Sequence, residues 1–155
     1  MDLTSRLVEL NAAYARALDN EEFERWPAMF TESCLYKVTT AENVARGHEA
    51  GIMYADSRGM LEDRISALRR VNIYERQRYR HIVGLPHVMG AEADAHRVET
   101  PFLIVRVMRD GTMSIFATGC YRDLVAADSS GALRFRERIV ICDGGRFDTL
   151  VAIPF

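Results

Sequence analysis

The chain is almost free of lysine. Lys37 is the only one in 155 residues, and the other 19 basic residues are arginines. Arginine carries a planar fork of donors that pairs with carboxylates and tolerates desolvation. It is enriched in protein interfaces, where lysine is depleted. The imbalance therefore hints at an assembled protein. Cysteine is also sparse: Cys34, Cys120 and Cys142 are odd in number and widely spaced. That pattern argues against a disulfide framework and is expected of a reduced, cytoplasmic protein. The opening "MDLTSRLVEL" lacks a basic region leading into an apolar run, so no secretory leader is expected. No apolar stretch approaches the length needed to span a bilayer. A net charge of −2 offers no global field for nucleic acid or an anionic membrane. Neither a Gly-rich phosphate loop nor a nucleophile elbow occurs.

Metal-ligand spacing is missing as well. A Rieske cluster needs paired Cys-x-His-type ligands, and no cysteine here has a histidine within two residues. An iron facial triad needs two histidines and a carboxylate. His81 and His87 flank a Gly-x-Pro bend with no carboxylate beside them. Distant carboxylates converging in space would be needed.

What is present is a one-domain length, read as 1–155, with 48% apolar and 27% charged residues. Leu3, Leu7, Leu10, Tyr14 and Leu18 recur at helical steps, with Asp2 or Thr4 available as a cap. A second short helix is expected over "EEFERWPAMF", broken or shortened by Pro27. "CLYKVTT" (34–40) has strand composition. Residues 41–57 read as a loop with at most a helical turn. Residues 58–70 form a helix, with Met60, Leu61, Ile65 and Leu68 on one face. "YRHIVGLPHVMG" suits one strand bent at Gly84 and Pro86. From residue 95 the chain reads as a meander, turning at Asp110-Gly111, at "DSSG" and at Gly144-Gly145 before "RFDTLVAIPF". Helices followed by a long antiparallel sheet make an α+β protein. So long a sheet must curl around the helices, leaving a cone with room for a pocket.

Within "LRFRERIVI", strict alternation puts Leu133, Phe135, Glu137, Ile139 and Ile141 on one face and Arg134, Arg136 and Arg138 on the other. Glu137 is then a carboxylate on an apolar face, closing the sheet in an ion pair or acting as a pocket base. The arginine ladder finds acids within the chain, such as Glu99 or Asp123, or on another subunit. His81 is either hydrogen-bonded in place or a pocket residue. Tyr14, Tyr36 and Tyr54 either pack or line the pocket, and Trp26 is expected in the core. Residues 64–86 gather Arg64, Arg69, Arg70, Arg76, Arg78, Arg80 and His81.

The run "DRISALRR", then "YERQRYRHIVGLP", the meander and the ending "DTLVAIPF" together resemble the small (β) subunits of aromatic-ring-hydroxylating dioxygenases. "NAAYARALDNEEFERWPAMFTESCLYKVTT", "GIMYADSRGML" and "RFRERIVICD" resemble the terephthalate dioxygenase branch, with salicylate and anthranilate relatives sharing much of the pattern. Gln77 stands before Arg78 where many members have Pro-Ser, which also favours that branch. The resemblance implies the cone-shaped nuclear-transport-factor-2-like (cystatin-like) fold, with N-terminal helices on a curved, mainly antiparallel sheet. It implies a non-catalytic subunit of an α3β3 hexamer, in contact with the catalytic α subunit and with other β subunits. The Rieske [2Fe-2S] cluster and the mononuclear Fe(II) would lie on the α subunit, fed from NADH through a reductase. Arg64, Arg76, Arg78, Arg80, His81, Arg134, Arg136 and Arg138 are then expected to organise interfaces. The alternative is a free-standing dehydratase or isomerase of the same fold using Glu137 or His81.

Overall fold

A computed structural model describes all residues except 49–50, 72–76 and 146–152. Helix α1 spans Leu3–Asp19. Asp2 caps it by accepting from the Ser5 amide at 2.8 Å, which satisfies one of the first-turn donors. Leu7, Tyr14 and Leu18 are buried along its inner stripe, and so is Asn11 at the same spacing. Pro27 does divide the next segment: two 3-10 turns, Phe23–Arg25 and Pro27–Met29, replace the expected helix. Strand β1 is Phe30–Thr40, four residues longer at its start than its composition suggests. The expected loop after it contains a short helix α2 (Ala41–Ala45) and a strand β2 (Met53–Ala55). Helix α3, Arg58–Val71, buries Leu61, Ile65 and Leu68, but Met60 is turned toward solvent.

The remaining strands are β3 (Gln77–Val83), β4 (His87–Glu92), β5 (Ala95–Met108), β6 (Met113–Ala127) and β7 (Leu133–Cys142). The segment read as one bent strand is thus two. β3 pairs with the 102–108 half of β5 and β4 with its 95–99 half. Gly84 sits at the break, where a Cβ would lie 2.7 Å from the Pro101 ring. The seven strands form one open sheet in the order β2-β1-β7-β6-β5-β3, with β4 also on β5. Among the described strands, only the β1–β7 pair is parallel. Gly111 and Gly131 take positive φ at the two expected hairpin turns.

Bulges bend this sheet. On β6, Ile104 faces Ala117 and Val105 faces Ile115, leaving Phe116 as an extra residue. On β7, Phe135 faces Val125 and Glu137 faces Leu124, leaving Arg136 extra. The helices α1 and α3 pack against the sheet. There Tyr14, Phe23, Trp26, Phe30, Tyr36, Tyr121 and Phe135 meet with essentially no exposed surface. The final stretch read as a strand lies outside the described residues over 146–152. Ile153–Phe155 are not strand; they are buried in the same core.

Candidate functional site

The bulge at Arg136 overturns the alternation expected for β7. Leu133 and Phe135 point inward before it, and Arg138, Val140 and Cys142 point inward after it. Glu137 therefore lies half-buried on the face away from the core and is not placed as a pocket base. Arg138, expected on the outer face, has 0% side-chain exposure. Its Nε donates to Asp123 Oδ1 at 2.9 Å and its Nη2 to Asp123 Oδ2 at 2.7 Å. Nη2 also donates to Asn11 Oδ1 at 2.6 Å. The guanidinium carbon lies 3.9–4.3 Å from the ring centroids of Phe135, Tyr121 and Tyr14. A bidentate carboxylate and three aromatic faces are what a desolvated guanidinium requires. Burial alone would lower the Arg138 pKa, but the Asp123 carboxylate outweighs it and the pKa is raised. Burial pushes the Asp123 carboxyl up, against the pull of the guanidinium. The two-oxygen geometry is that of an ionised pair.

The other two members of the ladder also find acids within the chain. Arg134 pairs with Asp128 at 3.2 Å, and Arg136 meets Asp94 at 3.0 and 3.1 Å. Glu99 pairs instead with Arg122 at 3.1 Å.

A second cluster joins the end of α1 to β3. Asp19 accepts from the His81 amide at 3.0 Å and lies 2.6 Å from His81 Nδ1. The His81 side chain has 0% exposure and its Nε2 has no partner among the described residues. Arg80 stands 3.8 Å from the same carboxylate with most of its side chain in solvent. Asp19 escaped the sequence reading because it lies 62 residues from His81. Its one signal is that it ends the α1 apolar stripe. Asn11 carried a clearer one: a polar residue in register with Leu7, Tyr14 and Leu18.

The outer face of β3, β5 and β6 carries apolar side chains in rows. Ile82 lies across from Leu103, Arg80 from Val105 and Ile115, and Arg78 from Val107 and Met113. Ile82 is 54% exposed, and Met113 and Ile115 are each 71% exposed. Arg78 also lines a cleft with Glu21, Gln77 and Arg109. Arg64 is half-buried on α3, away from these rows, and Arg76 lies outside the described residues. Tyr14, Tyr36 and Trp26 pack in the core, whereas Tyr54 is exposed.

Among the described residues, no group of three or more His, Cys, Asp or Glu side chains converges as metal ligands. The donor set of the described residues does not fit a Rieske cluster or a facial triad. No helix among the described residues is long and apolar enough to cross a membrane.

Similarity to known proteins agrees with this architecture. A family model described as "Ring hydroxylating beta subunit" matches residues 13–147. The chain is 48% identical, over 96% of each chain, to subunit beta 1 of the terminal oxygenase component of terephthalate 1,2-dioxygenase from a Comamonas species. It is 35% identical to the small subunit of anthranilate 1,2-dioxygenase from Burkholderia cepacia, over 94% of this chain and 89% of that one. A crystal structure described as the beta subunit of an aromatic-ring-hydroxylating dioxygenase from Novosphingobium aromaticivorans superposes with a TM-score of 0.89 at 37% identity, covering 98% of this chain and 96% of that one. The cone-shaped nuclear-transport-factor-2-like fold is thereby established, and the chain belongs to the β-subunit family of aromatic-ring-hydroxylating dioxygenases.

Proposed function

We propose that this chain is a non-catalytic assembly subunit of a cytoplasmic α3β3 oxygenase that dihydroxylates an aromatic carboxylate, with terephthalate as the substrate. The observation that carries the reading is 48% identity, over 96% of each chain, to a terephthalate dioxygenase β subunit. The Rieske [2Fe-2S] cluster and the mononuclear Fe(II) belong to the α subunit in this reading, and a reductase supplies electrons from NADH. The outer face of β3, β5 and β6 is the surface offered to the α subunit. Its exposed Ile82, Met113 and Ile115 form an apolar centre, and Arg78 and Arg80 supply a cationic border for carboxylates. Arg64, Arg134 and Arg136 are peripheral to this patch, and their contribution is to orientation. His81 and Arg138 are wholly buried, so their part is to hold the surface in shape from behind.

Co-expression with the α subunit tests this. Tagged wild-type chain is expected to recover a larger chain in one-to-one ratio with iron–sulfur absorbance. Arg78→Glu and Ile115→Asp should each keep a native thermal melt but lose most of that recovery. Complexes as abundant as wild type from both variants would reject the surface, and recovery of a colourless single chain would reject the assembly role.

One observation favours a second reading. The Asp19–His81 pair has the form of an oriented acid–base dyad, with Nε2 left over. An isolated pocket enzyme would use it, and His81→Asn would abolish turnover by the chain alone. The complete burial of His81 leaves no path for a substrate to Nε2, which is why the assembly reading is preferred.

A further inference from the structure

Two cations at one end of the sheet have no counter-charge of their own. Arg78 lies near the start of β3 and Arg109 just after the end of β5. They line one cleft of about 340 Å³ together with Glu21, Gln77, Val107 and Met108. The pairing of β3 with β5 builds this cleft, since Gln77 faces Met108 and Arg78 faces Val107. A tight turn fixes Arg109 at its edge. The Met108 amide donates to the Thr112 oxygen at 2.9 Å, and the Thr112 amide donates to Asp110 Oδ1 at 2.9 Å. Asp110 thus serves the turn and forms no ion pair with Arg109. Among the described residues neither Arg78 nor Arg109 has an ion-pair partner, unlike Arg69, Arg122, Arg134 and Arg136. Glu21 is the acid of the cleft, and its backbone is left-handed at φ 58°. Arg69 holds it there, donating to the Glu21 main-chain oxygen at 2.6 Å. Two guanidiniums and one carboxylate leave the cleft one positive charge in excess, which one further carboxylate balances. Gln77 is an independent sign. It is 6% exposed, its Nε2 donates to the Tyr79 hydroxyl at 3.2 Å, and its Oε1 is buried with no partner among the described residues. Turning the amide over would leave its nitrogen without a partner in place of its oxygen. A polar atom left over in the wall of a cleft calls for a polar group from outside the chain.

We propose that this cleft is a socket for one carboxylate side chain of the α subunit, held between Arg78 and Arg109, with a main-chain polar group of the same segment on Gln77. The inference rests on the assembly reading and deepens it. Arg78 belongs to the cleft and to the outer-face rows at once, because Val107 lies across from both Arg78 and Met113. A partner that covers the apolar rows therefore covers Arg78 as well. A guanidinium taken out of water needs a carboxylate in place of its hydration. The described residues offer none here, so the partner must bring it. Arginine suits such a socket because its planar fork grips both carboxylate oxygens.

The test uses the co-expressed complex, immobilised through this chain, and follows the rate at which the α subunit leaves. Arg109 is exposed in a turn, so its variants should keep a native melt. Arg109→Glu is expected to release the α subunit about tenfold faster, or to form no complex at all. Arg109→Lys keeps the charge but loses the fork, and should still release it severalfold faster. Arg70→Glu makes the same charge change on exposed α3, outside the cleft, and should leave the rate as it is. An Arg109→Glu complex as long-lived as wild type would overturn the socket while leaving the assembly reading intact. Wild-type chain that recovers no α subunit would overturn both. Arg109→Lys equal to wild type, or Arg70→Glu as damaging as Arg109→Glu, would mean a diffuse field and would overturn the socket. Two results with the isolated chain would give the cleft to another occupant and overturn it equally. One is a melt raised by benzoate or acetate in wild type but not in Arg109→Glu. The other is a self-association that Arg109→Glu abolishes.

Discussion

Arg138 and Asp123 are both desolvated, with side-chain exposures of 0% and 1%. Each is tolerable only because of the other. Removing one partner of such a pair costs about 3–5 kcal/mol, because a lone charge stays behind in the core. Replacing both by apolar side chains of similar volume is often neutral or better. Asp123→Ala is therefore expected to lower unfolding free energy by about 3–5 kcal/mol in a urea titration. The double variant Asp123→Leu with Arg138→Met should recover most of that loss. A single variant within experimental error of wild type would show that the pair carries no structural weight. The pair also explains why the ladder reading failed at one position only. Arg134 and Arg136 stay on the outer face and pair with Asp128 and Asp94, other acids than the Glu99 or Asp123 expected, whereas Arg138 follows the bulge into the core.

At the level of elements, the bulged sheet leaves little room at its crossings. Gly119 on β6 faces Cys142 on β7. A Cβ there would sit 1.9 Å from the Ile141 carbonyl oxygen, a backbone atom that cannot swing aside. Gly119→Ala is expected to destabilise by about 1–3 kcal/mol or more, the scale of forced overpacking. Gly90→Ala on β4 is the control, since nothing lies within 4 Å of its Cβ position. Thermal melts of the two variants should separate clearly; indistinguishable melts would mean that β6 and β7 shift freely. The same strands mark the boundary of what could be read from the chain. The α1 stripe, the break at Pro27 and the Asp110-Gly111 hairpin were legible because each depends on residues within one or two turns. The bulge at Arg136 was not, because it is a matter of pairing with β6. One extra residue reverses every side chain after it. Glu137 and Arg138 exchanged faces for that reason alone. The Asp19–His81 contact and the place of Phe155 were hidden likewise, being contacts across 62 and 119 residues. The outward aim of Arg78 and Arg80 needed only the period of a strand.

Over the whole molecule, part of the surface arginine charge is matched by the chain's own acids. Glu22, Glu42, Glu24, Glu99, Asp128 and Asp94 each hold an arginine, and Arg97 pairs with Glu92. Four surface carboxyls are held below their ordinary range. A hydrogen bond from Arg69 does this for Glu24 and one from Arg136 for Asp94. The Thr112 amide does it for Asp110, and Ser130 for Asp128. A carboxyl whose pKa is lower folded than unfolded binds protons more weakly in the native state. Its stabilisation is complete above the unfolded pKa of about 4 and is lost as pH falls through the lowered native value. Asp123 has the opposite sign, since burial raises its pKa, and it offsets part of the loss. Four groups against one leave a net decline. The midpoint of thermal unfolding is therefore expected to hold steady from pH 7 to about 5 and to fall between about pH 4 and 2. Added salt should flatten that fall, because exposed pairs are screened within about 10 Å at 0.1 M. Asp94→Asn with Asp128→Asn should flatten it further by removing two of the lowered groups. A midpoint that rises on acidification would assign the acid response to the buried pair, and a slope unchanged in the double variant would show that Asp94 and Asp128 do not carry the decline.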